Sequence, residues 1–135
     1  MNKIYIDTRE RDPWTFKGRA VRLKIVKLDE ADYSNGRGVL IERKTVSDLF
    51  HTLTRSERRF RAELERLKAQ RSAFTAIIVE GSPGSVRRGV WSSRAHGGRV
   101  LAHLLALCVQ YRIAPVFCDN RTEAENVAFA LLTGG

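Results

Sequence analysis

Apolar and polar positions alternate in short runs through the first third of the chain. Residues 3–7 put Ile4 and Ile6 on one face and predict a strand. It runs into the polar cluster Asp7-Thr8-Arg9-Glu10-Arg11-Asp12-Pro13. Residues 20–28 alternate as well, with Val21, Leu23 and Ile25 facing one way, and predict a half-buried strand. Ser34-Asn35-Gly36 is a turn signal, and Val39-Leu40-Ile41-Glu42-Arg43 reads as a third strand. Together the three suggest an antiparallel meander.

The period then changes. Thr45-Val46-Ser47-Asp48 has the spacing of a capping box and predicts a short helix to about Leu53. Residues 55–71 carry Phe60, Leu64 and Leu67 on one stripe of a longer helix, with Glu57 and Arg61 spaced for an ion pair. Ala76-Ile77-Ile78-Val79 is a continuous apolar run, the mark of a strand covered on both faces. Residues 81–99 interrupt the pattern with five Gly, four Ser, four Arg, Trp91 and no acid. A flexible basic loop is expected there, since loops beyond about 12–15 residues are functional or disordered. An apolar helix over 98–112, a strand at Pro115-Val116-Phe117-Cys118 and a helix opened by the capping box Thr122-Glu123-Ala124-Glu125 complete the chain. The class is α/β: one domain over 1–135, with a mixed central sheet flanked by helices on both faces.

Composition narrows the function. The chain has 135 residues, 43% of them hydrophobic, enough for one packed core. No apolar run approaches the roughly 18 residues of a membrane span, and the start lacks a signal peptide's apolar stretch. Cys108 and Cys118 have no zinc spacing and read as reduced thilos of a cytoplasmic protein, nucleoid-associated in a prokaryote or virus and nuclear in a eukaryote. Lys and Arg number 24 against 15 acids, for a net charge of +9, and 18 of the 24 are Arg. Arg grips phosphate with a planar fork, so a polyanionic partner, nucleic acid above all, is expected, DNA and RNA alike on charge alone. Two groups supply candidate contacts: Arg55, Arg58, Arg59, Arg61 and Arg66 on the long helix, and Arg87, Arg88, Arg94 and Arg99 around Trp91, an aromatic able to stack on an unpaired base.

The candidate chemistry lies in acids at strand ends. Glu42 and Lys44 are two apart on one strand, so their side chains share a face. If a hairpin pairs the flanking strands, Asp32 comes from the other side of the same region. Two carboxylates and an ammonium then suit a hard divalent cation, which takes oxygen ligands and keeps waters. The bland alternative is that Glu42-Arg43-Lys44 is a solvated charge run.

The order Asp7-Thr8-Arg9-Glu10, Ala31-Asp32, Glu42-Arg43-Lys44-Thr45-Val46-Ser47-Asp48 resembles the nuclease domain of the XPF-type structure-specific endonucleases. That family's signature is Gly-Asp, a variable gap, Glu-Arg-Lys, three residues and Asp, preceded by Asp-x-Arg-Glu. Arg59-Phe60 and Ile77-Ile78-Val79-Glu80-Gly81 extend the likeness to residues 3–132. The resemblance implies a restriction-endonuclease-like fold and Mg²⁺- or Mn²⁺-dependent cleavage of branched or otherwise structured DNA. By position, Asp32 and Glu42 would be the metal carboxylates, with the Arg43 carbonyl and Asp7 as further ligands. Lys44 would stand at the nucleophile, Glu10 would be a nearby acid, and Asp48 the last signature position. Arg9, Arg43 and Arg59 would hold the site or the DNA backbone. A homodimer through the C-terminal helices is also implied. Two departures stand out: Ala31 replaces the family's Gly, and the chain ends at Gly135 without helix-hairpin-helix modules, so a separate DNA-binding partner chain is an option. The competing class is a catalytically inactive DNA-binding scaffold with the same fold.

Overall fold

The computed structural model describes residues 1–90 and 95–135. Six strands form one sheet: β1 (Asn2–Asp7), β2 (Val21–Val26), β3 (Tyr33–Ser34), β4 (Val39–Thr45), β5 (Phe74–Glu80) and β6 (Ala114–Cys118). Their spatial order is β2-β1-β3-β4-β5-β6, and β3 alone runs against the rest. Helices α1 (Val46–Arg55), α2 (Glu57–Ala69), α3 (Pro83–Arg88) and α4 (Gly97–Tyr111) contribute to one apolar cluster, and α5 (Arg121–Thr133) to the other. β5 shows why its run is unbroken: Ile77 and Val79 enter the α1–α4 cluster, Ala76 and Ile78 the α5 cluster. No helix among the described residues is long and apolar enough to cross a membrane.

The antiparallel meander is corrected. β2 lies parallel to β1, in register Ile4↔Leu23 and Ile6↔Ile25. The connection buries Trp14 and Phe16 beneath the sheet in the α5 cluster, and this crossing returns the chain parallel. β2 is therefore an edge strand rather than a half-buried one, and Ile25 is 68% exposed. The antiparallel partner of β4 is instead the two-residue β3, too short to register as an alternating pattern.

The expected loop over 81–99 is corrected in part. Ser82 caps α3, its hydroxyl accepting from the Ser85 amide at 3.0 Å, with Pro83 in the first turn. His96 caps α4, which starts at Gly97. A Cβ on Gly97 would lie 2.2 Å from the Arg87 carbonyl oxygen, so glycine lets α3 and α4 meet backbone to backbone. Trp91 and Arg94 lie outside the described residues. At α5 the cap is Asn120, not Thr122: its side chain accepts from the Glu123 amide at 2.9 Å while Glu123 accepts from the Asp119 amide at 2.8 Å.

Candidate active site

β1 and β4 point their C-terminal ends the same way, and antiparallel β3 brings residue 32 to that end of the sheet. Tyr33 pairs with Ile41, so Asp32 stands opposite Glu42, one step along the hairpin. Main-chain bonds fix the position: the Asp7 amide donates to the Asp32 carbonyl at 2.9 Å, and the Asp32 amide to the Ile41 carbonyl at 2.9 Å. The Asp32 carboxylate then accepts from the Arg43 amide at 2.8 Å. Ala31 reaches this arrangement with φ +76°, left-handed backbone that favours glycine. The family's glycine at this position thus has a conformational reason.

Asp7, Asp32, Glu42 and Glu63 line a cavity of about 300 Å³, with Asp29 and Glu30 at its rim and Arg9 and Arg66 as its basic side chains. Burial and the neighbouring Asp32 carboxylate push the Glu42 carboxyl well above the usual carboxylate range, and Glu63 adds to the push. Lys44 opposes it from the same face of β4. The Lys44 ammonium donates to the Thr52 hydroxyl at 3.1 Å and sits 5.5 Å from the centre of the Phe60 ring. A second, adjoining hollow beside Lys44 is lined by His51, Arg59 and Glu63.

Asp7 is 3% exposed. Burial pushes its carboxyl up, but Arg9 and the Leu28 and Arg9 amides donate to it and together hold it below the ordinary range. Asp7 is thus committed to Arg9 and to closing the Leu28 turn as well as lining the cavity.

The other face of β4 is different. Arg43, 10% exposed, donates to Glu10 at 3.2 Å and lies 3.2 Å from Glu80. Its guanidinium stacks over Trp14 at 4.8 Å and donates to the Asp12 carbonyl at 2.7 Å. Tyr33 donates to Glu10 and accepts from the Trp14 amide, and the Trp14 indole donates to Glu80 at 2.8 Å. Burial and the Asp32 charge raise the Glu10 carboxyl, against the opposing pull of Tyr33 and Arg43.

The expected site residues therefore separate. Asp32, Glu42, Lys44 and Asp7 come together. Glu10 and the Arg43 side chain join the network behind the strand. Asp48 is exposed in the first turn of α1, its amide donating to the Thr45 hydroxyl at 3.0 Å, and it lines neither cavity. Arg9 is on the cavity, and Arg59 on the hollow beside Lys44. Arg55, Arg58, Arg87 and Arg88 are exposed on helices and are in none of the ion pairs among the described residues. Glu63 and Thr52 escaped the sequence reading. Glu63 is one helical turn from Phe60, at the edge of the buried stripe of α2, which was the signal available.

The donor set can be tested against a divalent cation. Among the described residues no three His, Cys, Asp or Glu side chains form a ready cage. Two apposed carboxylates, one of them pushed toward its protonated form by the other, are nonetheless short of positive charge. Mg²⁺ or Mn²⁺ held by two carboxylates, with water and phosphate completing the shell, fits that deficit.

Comparison with known proteins identifies the family and the fold. Residues 6–131 match the ERCC4 domain. The structure superposes on XPF from Aeropyrum pernix with a TM-score of 0.78 and 25% identity, covering 96% of this chain and 63% of that one. Against XPF from Aeropyrum pernix in complex with DNA the score is 0.78 at 27% identity, covering 98% and 64%. A Methanocaldococcus jannaschii protein with the provisional name ATP-dependent RNA helicase is 24% identical over 125 residues, 93% of this chain and 14% of that one. The chain thus spans just under two thirds of the XPF chains and a seventh of the helicase. It belongs to the ERCC4 domain family and has the restriction-endonuclease-like fold of the XPF nuclease domain.

Proposed function

We propose that the chain is a Mg²⁺- or Mn²⁺-dependent endonuclease that hydrolyses phosphodiester bonds in branched or otherwise structured DNA. The observation that carries this is the apposition of Asp32 and Glu42 across the β3–β4 hairpin, with Lys44 on the same face. Family membership and the DNA-bound XPF relative support it. The cation would be held by Asp32 and Glu42, with Asp7 and the Arg43 carbonyl as candidates for the remaining protein ligands. When bound, it supplies charge to offset the phosphate and acidifies water. Lys44, steadied by Thr52 and Phe60, offers a fixed ammonium to orient the attacking water or to stabilise charge on the phosphoryl oxygens. The Arg43 amide fixes the Asp32 carboxylate, so the ligand geometry depends on β4 remaining in register. The exposed apolar face of α4, with Leu105 39% and Val109 80% exposed, supports a homodimer through the C-terminal helices. Such an enzyme works wherever the cell keeps its DNA.

The test is cleavage of duplex, single-stranded, flapped, forked and four-way DNA with Mg²⁺ or Mn²⁺, beside Asp32→Ala and Glu42→Ala. Cutting by wild type that both substitutions abolish is expected, and the ranking of substrates names the preferred structure. Binding without cutting in every metal would leave an inactive scaffold or a nuclease that needs a partner chain.

A further inference from the structure

A cleft of about 500 Å³ opens where α2 and α4 end and β5 and β6 begin. Lys68, Arg71 and Arg112 line it, together with Ser72, Thr75 and Phe74, and no carboxylate does. Cations outside any ion pair of the described residues are common on this surface, Arg55, Arg58, Arg87 and Arg88 among them, but these three share one concave, acid-free space. Arg9, Arg43, Arg61, Arg66 and Arg121 are each paired with an acid. The three cations of the cleft have no such partner among the ion pairs of the described residues. Arg71 and Arg112 also occupy left-handed backbone, φ +51° and +56°, at positions following helices where glycine is the usual choice. The negative ends of two helix dipoles favour cations there, but they do not account for a concave, acid-free space with three of them.

The cleft opens at the opposite end of the parallel strands from the acidic cavity, and two elements run between them. Glu42 is in register with Ile77, and Thr75 is two residues down β5 on the same face, about 7 Å at 3.3 Å per residue. α2 borders both: Glu63 and Arg66 line the acidic cavity, and Lys68 the cleft, five residues or about 7.5 Å further along the helix. Ile77 and Leu67 between them are buried, so a strand reaching both sites passes over the exposed side of α2 and uses several phosphates at a rise of about 3.4 Å each.

We propose that this cleft is a second phosphate site, which takes the sugar–phosphate backbone of a nucleic-acid strand a few nucleotides from the acidic cavity. The ligand is the phosphate array and not the bases. The proposal rests on the nuclease reading for the identity of the strand. Lys68, Arg71 and Arg112 hold the substrate without touching the scissile bond, so they belong to KM and not to kcat.

The experiment is binding of fluorescently labelled flapped DNA, read by anisotropy in EDTA and in Ca²⁺ at about 50 to 200 mM salt. Wild type is compared with Lys68→Gln/Arg71→Gln/Arg112→Gln and with Arg71→Lys/Arg112→Lys. Loss of three phosphate contacts should reduce the log–log salt slope by about 2.7 and weaken binding about tenfold or more at the lowest salt. The lysine pair should retain most of the affinity, and cleavage at saturating DNA should be unchanged in all of them. Lys68→Gln alone, on the exposed side of α2, should reduce the slope by about 0.9 and serves if the triple variant melts early. Wild-type affinity and slope in the triple variant would overturn the proposal. A second arm measures the thermal shift produced by inorganic tripolyphosphate. Should wild type bind no DNA in either condition, the nuclease reading falls and strand binding with it. A tripolyphosphate shift that the triple variant loses would then mark the cleft as a site for small phosphates only.

Discussion

Glu42, Arg43 and Lys44 are consecutive on one strand, yet they belong to two environments of opposite kind. Behind β4, Arg43 meets Glu10, Glu80, Trp14 and the Asp12 carbonyl, and every charged group has an opposite or a hydrogen-bond partner. In front, Glu42 faces Asp32 and Glu63, with Lys44 as the opposing charge on its own strand. The rear network is a closed structural unit. The front carries more negative than positive charge, and burial and Asp32 push Glu42 toward its protonated form. Alternation along a strand lets three adjacent residues serve stability and chemistry separately.

The largest expected effect breaks that comparison into two readouts. Glu42→Gln should reduce cleavage by about 10³-fold or more, worth roughly 4 kcal/mol of transition-state stabilisation, and leave the fold intact. Arg43→Ala should do the reverse in kind, costing about 3–5 kcal/mol of stability because Glu10 and Glu80 remain buried without their partner. Urea unfolding and single-turnover cleavage of both variants check this. Equal loss of stability in the two would mean that the front carboxylate is structural.

Next comes the pH dependence of the metal-free protein. Glu42 has its carboxyl raised in the folded state, from an ordinary value of 4.5, by burial first and Asp32 second. A raised acid holds its proton more tightly when folded. Its contribution to stability is therefore complete below about pH 4.5 and is lost as pH rises through the folded value. Glu42→Gln has no charge to desolvate. In EDTA its unfolding midpoint should exceed that of wild type near pH 8, by about 1–3 kcal/mol, and the advantage should vanish near pH 4. A difference that does not change with pH would show that Glu42 is not held in this raised state.

A smaller effect concerns Lys44. Thr52→Val removes the hydroxyl that accepts from its ammonium and keeps the shape of the side chain. Loss of about tenfold in single-turnover rate, near 1.4 kcal/mol, is expected, with DNA affinity unchanged. A fall in affinity without a change in rate would make Lys44 a substrate contact instead of a group acting on the reaction.

Much of this was legible in the chain, for identifiable reasons. Glu42 and Lys44 sit on a strand whose alternation is regular, and local periodicity places them, whereas Asp32 precedes a strand too short to show a pattern and stood out through the family resemblance. β5 announced itself by an apolar run that only a doubly covered strand needs. The topology of β2 was not legible, because its alternation is equally good at an edge and in a hairpin. What sends it parallel to β1 is the burial of Trp14 and Phe16, a tertiary event. Glu10 and Arg43 look like site residues in the sequence for the same reason. They flank the acids along the chain, but the pleat of β4 turns Arg43 to the rear, where Glu10, from the loop after β1, pairs with it. α3 was hidden by glycine content, and Gly97 turns out to serve helix contact and not looseness.

The smallest prediction concerns the residue just before Asp32. Ala31 holds φ +76°, where a Cβ is strained, and its side chain is buried in the α1–α4 cluster. Two terms oppose each other in Ala31→Gly. Relief of the left-handed strain stabilises the fold by about 1 kcal/mol. The greater freedom of unfolded glycine and the lost methyl burial cost a comparable amount. The net change should lie within about 1 kcal/mol of zero, while each larger side chain at 31 both keeps the strain and crowds the cluster. Ala31→Val should therefore lower the unfolding midpoint clearly and reduce cleavage, since the Asp32 amide bonds β4 and the Asp32 carbonyl bonds β1. The pair separates conformation from volume. If Ala31→Gly loses cleavage as Ala31→Val does, the methyl itself helps hold Asp32, and the family's glycine is not interchangeable with this alanine.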